Sequence, residues 1–186
     1  MSEPMRGINR LTAGLRLPLG HATTDAMSID SQDFAQSISL RDLAATEVLG
    51  ARIAAGLRLG DCVALKGDLG AGKTTLARAI LRALAVTEHV PSPTFTLVQS
   101  YETPRLKLHH YDLYRIRDPR EIDELGLDEA LEEGAALIEW PERGGDRIPV
   151  EALLISLDAT GEQSRCAHIT GPARWAPILT ETALAR

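Results

Sequence analysis

The stretch that decides the fold is GDLGAGKTT, residues 67–75. Its first eight residues, Gly67-Asp68-Leu69-Gly70-Ala71-Gly72-Lys73-Thr74, match the phosphate-binding pattern GxxxxGK[ST] at every fixed position. An apolar run at 62–65 precedes it, and a run with helical periodicity at 74–84 follows it. The sequence therefore predicts a strand, a glycine-rich loop and a helix in the order that phosphate binding requires.

The residues at the fixed positions of this loop each have a chemical purpose. Gly70 and Gly72 let the backbone turn so that successive N–H groups point at phosphate oxygens. The positive end of the following helix strengthens this field. Lys73 supplies a compact positive charge to the β and γ phosphates, and the Thr74 hydroxyl suits Mg²⁺. We therefore expect the loop to bind a nucleotide, with Thr75 near its α phosphate.

Two carboxylates are predicted to lie where apolar strands end. Asp112 closes the run 108–111, and Glu139 closes the run 136–138. Ligands of open α/β sheets bind at the carboxyl ends of the strands, so both side chains should approach the loop. Mg²⁺ held by a hydroxyl and by phosphates commonly takes a carboxylate as well, for which Glu139 is the first candidate and Asp112 the second. The alternative for Asp112 is an exposed strand-end charge or an ion pair with Arg115.

Two further features narrow the chemistry. His109 and His110 are adjacent, so on a strand they face opposite sides and cannot bind one metal ion together; we expect packing or surface roles. The only asparagine is Asn9, so the guanine-reading motif NKxD is absent. This absence disfavours GTP as the nucleotide.

The remaining pattern predicts an α/β protein. Apolar residues repeat every four positions at Leu49, Ile53 and Leu57, in a helix expected to start near Ser39 and Asp42. Strands at 95–101 and 106–113 should pair as a hairpin, and a helix at 118–132 should lead to a strand at 135–138. A second hairpin should join 151–157 to 165–170. We expect a P-loop NTPase-like, mostly parallel central sheet with helices on both faces and antiparallel hairpin additions.

The domain organisation follows from composition. Residues 1–36 show no sustained periodicity and are expected to form a flexible extension, in which Met27 offers a second start. Residues 37–171 should form the P-loop ATPase domain and residues 172–186 a C-terminal tail. A chain of 186 residues with 44% hydrophobic residues is enough for one such core.

Charge and cysteine content exclude other classes. The net charge of -6 argues against a broad surface for nucleic-acid phosphates, so any RNA should be reached through a partner. Cys62 and Cys166 form no disulfide framework and no CxxC motif, which fits a reducing cytoplasm. No apolar run approaches the roughly 20 residues of a spanning helix, so we expect no membrane association.

Four stretches together resemble the TsaE family. They are GDLGAGKTT (67–75), SPTFTLV (92–98), HYDLYR (110–115) and IEWPE (138–142), within a similarity that spans residues 37–170. The resemblance implies a P-loop ATPase that uses ATP/ADP and Mg²⁺. It also implies that a TsaB and TsaD pair is the partner, and that together they add the threonylcarbamoyl group to the adenosine next to the anticodon of transfer RNA.

The resemblance also implies residue roles. Thr74 and Glu139 would be Mg²⁺ ligands, and Asp112 would be the Walker B-like carboxylate near the metal. Thr94 would lie in a switch segment that responds to nucleotide, and Trp140 would lie beside the nucleotide. Arg165, on the late hairpin, is the expected neighbour of the adenine. The expected catalytic set is Lys73, Asp112 and Glu139.

Two other functions remain open at this stage. A small-metabolite P-loop kinase would use the same loop, with Arg115, Arg117 and Arg120 on a phosphate-clamping lid. A nucleotide-dependent binding module would switch a partner without useful turnover. Turnover with and without partners or acceptors separates these functions from a partner-stimulated ATPase.

Overall fold

The computed structural model describes residues 33–180, which belong to one compact unit. Seven strands form one sheet in the order β1-β7-β6-β2-β5-β4-β3. Their bounds are β1 Asp33–Leu40, β2 Cys62–Lys66, β3 Val98–Glu102, β4 Lys107–Asp112, β5 Gly134–Glu139, β6 Leu153–Ala159 and β7 Arg165–Pro172. Within these residues, no helix has the length and apolar character needed to cross a membrane.

Four α-helices accompany the sheet. They are α1 Leu43–Gly56, α2 Lys73–Ala83, α3 Leu127–Glu133 and α4 Ala176–Leu179. Short 3₁₀ helices cover Pro119–Leu125, Pro141–Arg143, Gly145–Arg147 and Ala173–Trp175.

The centre of the sheet is parallel. Strand β2 pairs in parallel with β5 and β6, and β4 pairs in parallel with β5. The hairpins β3–β4 and β6–β7 are antiparallel, and β1 adds to β7 in antiparallel fashion. The expected mostly parallel sheet with antiparallel hairpin additions is therefore confirmed.

Helices cover both faces, as the buried strand β2 requires. Val63 and Leu65 pack into the cluster formed with α1 and α2, and the alternate residues Cys62 and Ala64 pack with α3 on the other face. Side chains of a strand alternate between faces, so a strand buried on both sides is apolar at every position. This arrangement brings the carboxyl ends of β2, β4 and β5 to one edge.

The first elements of the described region differ from the sequence prediction. Ser39 lies in β1, and α1 is capped by Asp42, whose Oδ1 accepts the Ala45 N–H at 2.8 Å. The predicted helix start at Ser39 is therefore wrong, and the boundary at residue 37 falls inside a strand. Residues 1–32, most of the expected extension, lie outside the described residues.

The boundaries of other elements also differ from the sequence prediction. The predicted helix 118–132 is two pieces, because Gly126 adopts a left-handed conformation with φ 65° between the 3₁₀ segment and α3. Strand β3 begins at Val98 rather than at residue 95. The described part of the expected C-terminal tail is helical in places, with Trp175 and Leu179 buried in the core. These apolar contacts hold residues 173–179 against α1.

Candidate functional site

The glycine-rich loop connects β2 to α2 at the carboxyl edge of the sheet. Gly67 has φ 141°, and a Cβ atom there would lie 2.5 Å from the Leu157 carbonyl oxygen. Gly72, with φ 108°, precedes α2, and no side chain caps the helix. The amides of the first turn therefore present an uncapped, positively polarised end to the loop, which is the arrangement that favours a phosphate group.

Lys73 is held inside the loop. Lys73 is only 4% exposed. The ammonium donates to the carbonyl oxygens of Gly67 at 2.6 Å and Asp68 at 2.8 Å, and it lies 3.7 Å from the centre of the Trp140 ring. Burial lowers the pKa of Lys73, while nearby carboxylates, Glu139 foremost, oppose that shift. A concentrated positive charge thus faces the cleft.

Glu139 connects the sheet to the helix that carries the loop. The Thr74 hydroxyl donates to Glu139 Oε2 at 2.8 Å, and His110 Nε2 lies 2.9 Å from Glu139 Oε1. Glu139 is buried, at the last position of β5. The predicted pair Thr74 and Glu139 is therefore brought into direct contact.

Asp112 has a different set of partners. Its Oδ2 accepts the hydroxyls of Ser92 at 2.8 Å and Thr94 at 2.6 Å, and its Oδ1 accepts the Tyr114 N–H at 3.0 Å. The two hydroxyls also lie 2.8 Å from each other. Asp112 is buried and makes no ion pair with Arg115, so the alternative of an exposed strand-end charge is wrong. The carboxylate instead fastens the segment 91–97 to the end of β4.

Trp140 adopts an unusual backbone conformation. Its φ of 61° and ψ of 51° fall in the left-handed region, which a bulky residue rarely occupies. The Trp140 N–H donates to the Leu65 carbonyl at 3.1 Å, and the Trp140 carbonyl accepts the Arg143 N–H at 3.0 Å. These bonds turn the ring over Lys73 and against the Tyr114 ring, whose centre is 5.0 Å away. Such strain is characteristic of functional sites.

The site residues line a cleft of about 390 Å³. Its walls include the loop, the segment 92–94 and the ends of β4 and β5. The lining residues are Leu69, Gly70, Gly72, Lys73, Thr74, Thr75, Ser92, Thr94, Asp112, Tyr114, Glu139 and Trp140. The structure thus gathers most of the predicted loop residues, both carboxylates, Thr94 and Trp140 into one cavity, whereas Gly67, Asp68 and Ala71 are not among its lining residues.

Arg165 lies on the other side of the loop. Its Nε donates to the Ala71 carbonyl at 2.9 Å and its Nη2 to the Gly70 carbonyl at 3.3 Å. Its Nη1 donates to carbonyls of the β6–β7 turn, including Ser164 at 2.9 Å. The guanidinium therefore ties the hairpin to the loop, and most of its N–H groups donate to backbone oxygens.

A second, smaller cavity of about 230 Å³ is lined in part by Arg165. It shares Gly72 and Thr75 with the main cleft. Its walls are largely apolar and include Leu40, Leu43, Leu157 and Arg165. The two cavities therefore meet at the start of α2.

The arrangement of oxygen ligands fits Mg²⁺. Among residues 33–180, no group of three or more histidine, cysteine or acidic side chains could hold a metal by itself. Mg²⁺ is typically bound by one or two carboxylates together with water and substrate phosphates, and not by an all-protein cage. Thr74 and Glu139 supply such an incomplete set directly beside the loop, with Asp112 at the neighbouring strand end.

Sequence reasoning missed three residues of the site. Ser92 and Tyr114 line the cleft, and His110 contacts Glu139, although packing or surface roles were expected for both histidines. A signal for His110 was present, because residues two apart on a strand share a face and Asp112 follows His110 by two. The histidine is buried as expected for packing, yet its ring contacts the site.

Comparison with known proteins gives a consistent relationship. A model of the family "Threonylcarbamoyl adenosine biosynthesis protein TsaE" matches residues 40–167. A protein of Nostoc sp. named tRNA threonylcarbamoyladenosine biosynthesis protein TsaE is 40% identical over 153 residues, covering 80% of this chain and 91% of the relative. A Rickettsia felis protein of the same name is 40% identical over 127 residues, covering 67% of this chain and 74% of the relative.

A solved structure shares the fold. The crystal structure of Bacillus subtilis YdiB superposes with a TM-score of 0.67 at 28% sequence identity, covering 82% of this chain and 96% of YdiB. The family match, the relatives and the shared fold agree, and the chain belongs to the TsaE family.

Proposed function

We propose that the chain is a Mg²⁺-dependent ATP-binding and hydrolysing protein that acts, with TsaB and TsaD partners, in the threonylcarbamoyl modification of transfer RNA. One observation carries the proposal: the buried Lys73 and the Thr74–Glu139 contact converge on a single cleft at the glycine-rich loop. The relatives' names supply the pathway. We place the activity in the cytoplasm, because its proposed substrate is transfer RNA.

The loop residues would hold the phosphates. Lys73 donates hydrogen bonds to the carbonyls of Gly67 and Asp68, and it would exchange these acceptors for phosphate oxygens, which bear more charge. The uncapped start of α2 would bind the phosphates of the same nucleotide, with Thr75 toward the α phosphate. Trp140 covers the ammonium and limits its contact with water. The loop would thus position the phosphates beside Lys73 and the start of α2.

Thr74, Glu139 and Asp112 would provide the metal-binding side. When bound, Mg²⁺ supplies positive charge that offsets the negative charge on the phosphates. Glu139 and Thr74 already face each other across 2.8 Å. Asp112 accepts a hydrogen bond from the hydroxyl of Thr94, which lines the same cleft and belongs to the segment proposed to respond to nucleotide. Because Asp112 and Glu139 end neighbouring strands, this bond connects Thr94 to the edge of the sheet that carries Glu139.

The base would occupy the smaller cavity. The two cavities share Gly72 and Thr75, so a nucleotide whose phosphates fill the main cleft projects its nucleoside toward Leu43 and Arg165. Bases stack well on apolar walls and on the flat face of a guanidinium. Because most of the N–H groups of Arg165 are bonded to carbonyls, stacking would be its main contact with the base.

Partner dependence follows from the charges in the cleft. No arginine is among the described residues that line it. The negative charge that develops on the phosphoryl group in the transition state is commonly stabilised by an arginine. A P-loop enzyme that lacks this arginine is expected to turn over slowly. A partner that supplies the charge, or that repositions residues 91–96, would raise the rate.

The kinase alternative has less support. Its proposed lid arginines do not converge on the cleft: Arg120 pairs with Asp118 at the surface, and Arg115 lies over the Phe95 ring at 5.1 Å. Neither side chain is placed to clamp a transferred phosphate. The geometry therefore favours hydrolysis over transfer to a small acceptor.

The deciding experiment measures ATP turnover and transfer-RNA retention by the chain alone, with a TsaB and TsaD pair, and with the pair plus transfer RNA. We expect slow turnover alone, a clear rise with the pair, and weak RNA retention without it, since the chain carries a net charge of -6. The Lys73→Ala protein mixed with the same partners is the control for contaminating ATPase. Fast turnover alone, unchanged by partners, together with tight direct RNA binding would refute the proposed role.

A further inference from the structure

His110 is a buried polar residue that the proposed chemistry does not use. It is 0% exposed, at the centre of β4. Its Nε2 lies 2.9 Å from Glu139 Oε1, while its Nδ1 has no hydrogen-bond partner among residues 33–180. A polar ring in the core usually satisfies both nitrogens or is replaced by an apolar residue. The one bond it makes therefore calls for an explanation.

The hydrogen-bond pattern assigns the roles of the two nitrogens. An ionised carboxylate can only accept, so Nε2 carries the proton and donates to Glu139. An unprotonated Nδ1 leaves only a lone pair without a partner, whereas a protonated one would leave an unpaired N–H group in the core. The ring is thus a one-sided donor aimed at a single oxygen of Glu139.

The two oxygens of Glu139 are thereby distinguished. Oε1 accepts from His110 on the side of the core, and Oε2 accepts from Thr74 on the side of the cleft. Glutamate has three side-chain torsions, and fixing one oxygen removes most of the freedom of the other. Strand pairing supports this arrangement, because β4 and β5 are in register from Lys107 with Gly134 to Asp112 with Glu139.

We propose that His110 is a positioning residue that orients the Glu139 carboxylate so that Oε2 faces Thr74 and a divalent cation. The inference rests on the proposed metal-binding role of Glu139. Groups that hydrogen-bond to a metal ligand typically change metal affinity about 10- to 100-fold when they are removed. His110 touches neither nucleotide nor metal in this account, and it acts only through Glu139.

The neighbouring histidine provides a matched control. His109 is also buried on β4, but it faces the other side of the sheet, where its Nδ1 lies 2.9 Å from Ser100 Oγ. Replacing it removes a buried imidazole from the same strand without touching Glu139. A role of His110 that is only structural would make the two replacements alike.

The test measures binding of Mn²⁺, used in place of Mg²⁺ as an EPR-visible probe, to the full chain in complex with ADP. The variants are His110→Leu, His110→Gln and His109→Leu, with ADP affinity in EDTA as a reference that is independent of metal. A glutamine amide can place an N–H group near the position of Nε2, and leucine cannot. Circular dichroism melting confirms which proteins are folded.

We expect His110→Leu to raise the half-saturating Mn²⁺ concentration about tenfold or more. His110→Gln should stay within about threefold of the parent, His109→Leu should match the parent, and ADP affinity in EDTA should be unchanged in all three. If His110→Leu does not fold, His110→Asn replaces it, because its amide is too short to reach Glu139 and the same loss is expected.

Each other result overturns the inference. A folded His110→Leu or His110→Asn protein with the parent's Mn²⁺ affinity removes the positioning role, and so does His110→Gln that is as weak as His110→Leu. An equal loss in His109→Leu shows that the effect is structural. A parent protein that binds no Mn²⁺ in its ADP complex refutes the proposed metal site itself, which separates that failure from a failure of the His110 inference.

Discussion

Asp112 and Glu139 are paired residues at the ends of the adjacent parallel strands β4 and β5. Although they are neighbours, they serve different parts of the molecule. Glu139 bonds to Thr74 of the loop helix, whereas Asp112 bonds to Ser92 and Thr94 of the following segment. This edge of the sheet thus joins the glycine-rich loop to the segment proposed to respond to nucleotide.

Replacing Lys73 by alanine should weaken nucleotide binding and abolish hydrolysis while the domain stays folded. A hydrogen bond to a charged group contributes roughly 1.5–3 kcal/mol, so nucleotide affinity should fall about 10- to 100-fold. Calorimetric titration with ATP and a turnover assay measure both effects. Lys66→Ala, at the exposed end of β2, is the matched control. Undiminished ATPase activity in a folded Lys73→Ala protein would refute the site.

Glu139→Gln should separate metal-dependent hydrolysis from metal-free binding. The amide keeps the shape of the side chain but loses the charge that a cation requires. We expect hydrolysis in Mg²⁺ to drop at least about tenfold, while ADP affinity in EDTA changes little. Glu142→Gln, an exposed carboxylate close by, controls for the general loss of one negative charge. Equal losses in both assays would instead indicate a structural role for Glu139.

Thr94→Val should affect the ATP-bound reaction more than ADP binding. The substitution removes the hydroxyl that donates to Asp112 at 2.6 Å, and Ser92 still holds the carboxylate. With partners present, turnover should fall about tenfold, as expected for loss of a hydrogen bond to a charged group. Thr96→Val, on the same segment but exposed, is the control. The switch proposal fails if both variants turn over ATP like the parent.

Leu43→Asp tests the proposed base cavity. Leu43 is 56% exposed at the start of α1, where aspartate is well tolerated, and it lines the smaller cavity. ADP affinity should fall about tenfold from lost apolar contact, while tripolyphosphate, which has no base, should bind as before. Val48→Asp, 45% exposed on the same helix but outside this cavity, should bind both normally. A parallel loss of tripolyphosphate would contradict the assignment.

The two cysteines should differ in reactivity. Burial raises the pKa of the Cys62 thiol to about 12, so its thiolate is scarce at neutral pH, whereas Cys166 is partly exposed on β7. A thiol-reactive chromophore should label one cysteine in the native protein and two after unfolding. Cys166→Ser should abolish the native signal. Rapid labelling of Cys62 in the native state would show that β2 opens easily.

Much of the fold was accessible from local patterns. The strand, loop and helix around Lys73 were predicted because a fixed motif and two apolar periodicities agree there. Asp112 and Glu139 were placed correctly at strand ends because both follow short apolar runs. Strand β1 was missed although Phe34, Ile38 and Leu40 alternate with polar residues, because Ser39 and Asp42 together imitate the start of a helix.

The rest depends on distant pairing. The proposed role of His110 depends on its contact with Glu139, 29 residues later in the chain, and only the register of β4 with β5 brings the two residues together. The left-handed backbone of Trp140 is imposed by bonds to Leu65 and Arg143, and a tryptophan has no intrinsic preference for it. Similarly, Arg165 donates to a carbonyl of the glycine-rich loop that lies 94 residues away in the sequence.

The bonds of Arg165 offer a way to influence the protein from outside the cleft. The Arg165 guanidinium bonds both to the turn of the β6–β7 hairpin and to the carbonyls of Gly70 and Ala71. A reagent that distorts the turn should therefore also displace the glycine-rich loop. Residues 160–163 are exposed and accessible to an antibody fragment. We expect a fragment selected against this turn to change the rate of ADP release without competing for the cleft, and stopped-flow dissociation would measure it. Because such a fragment would bind outside the cleft, a high concentration of ATP would not displace it by competition.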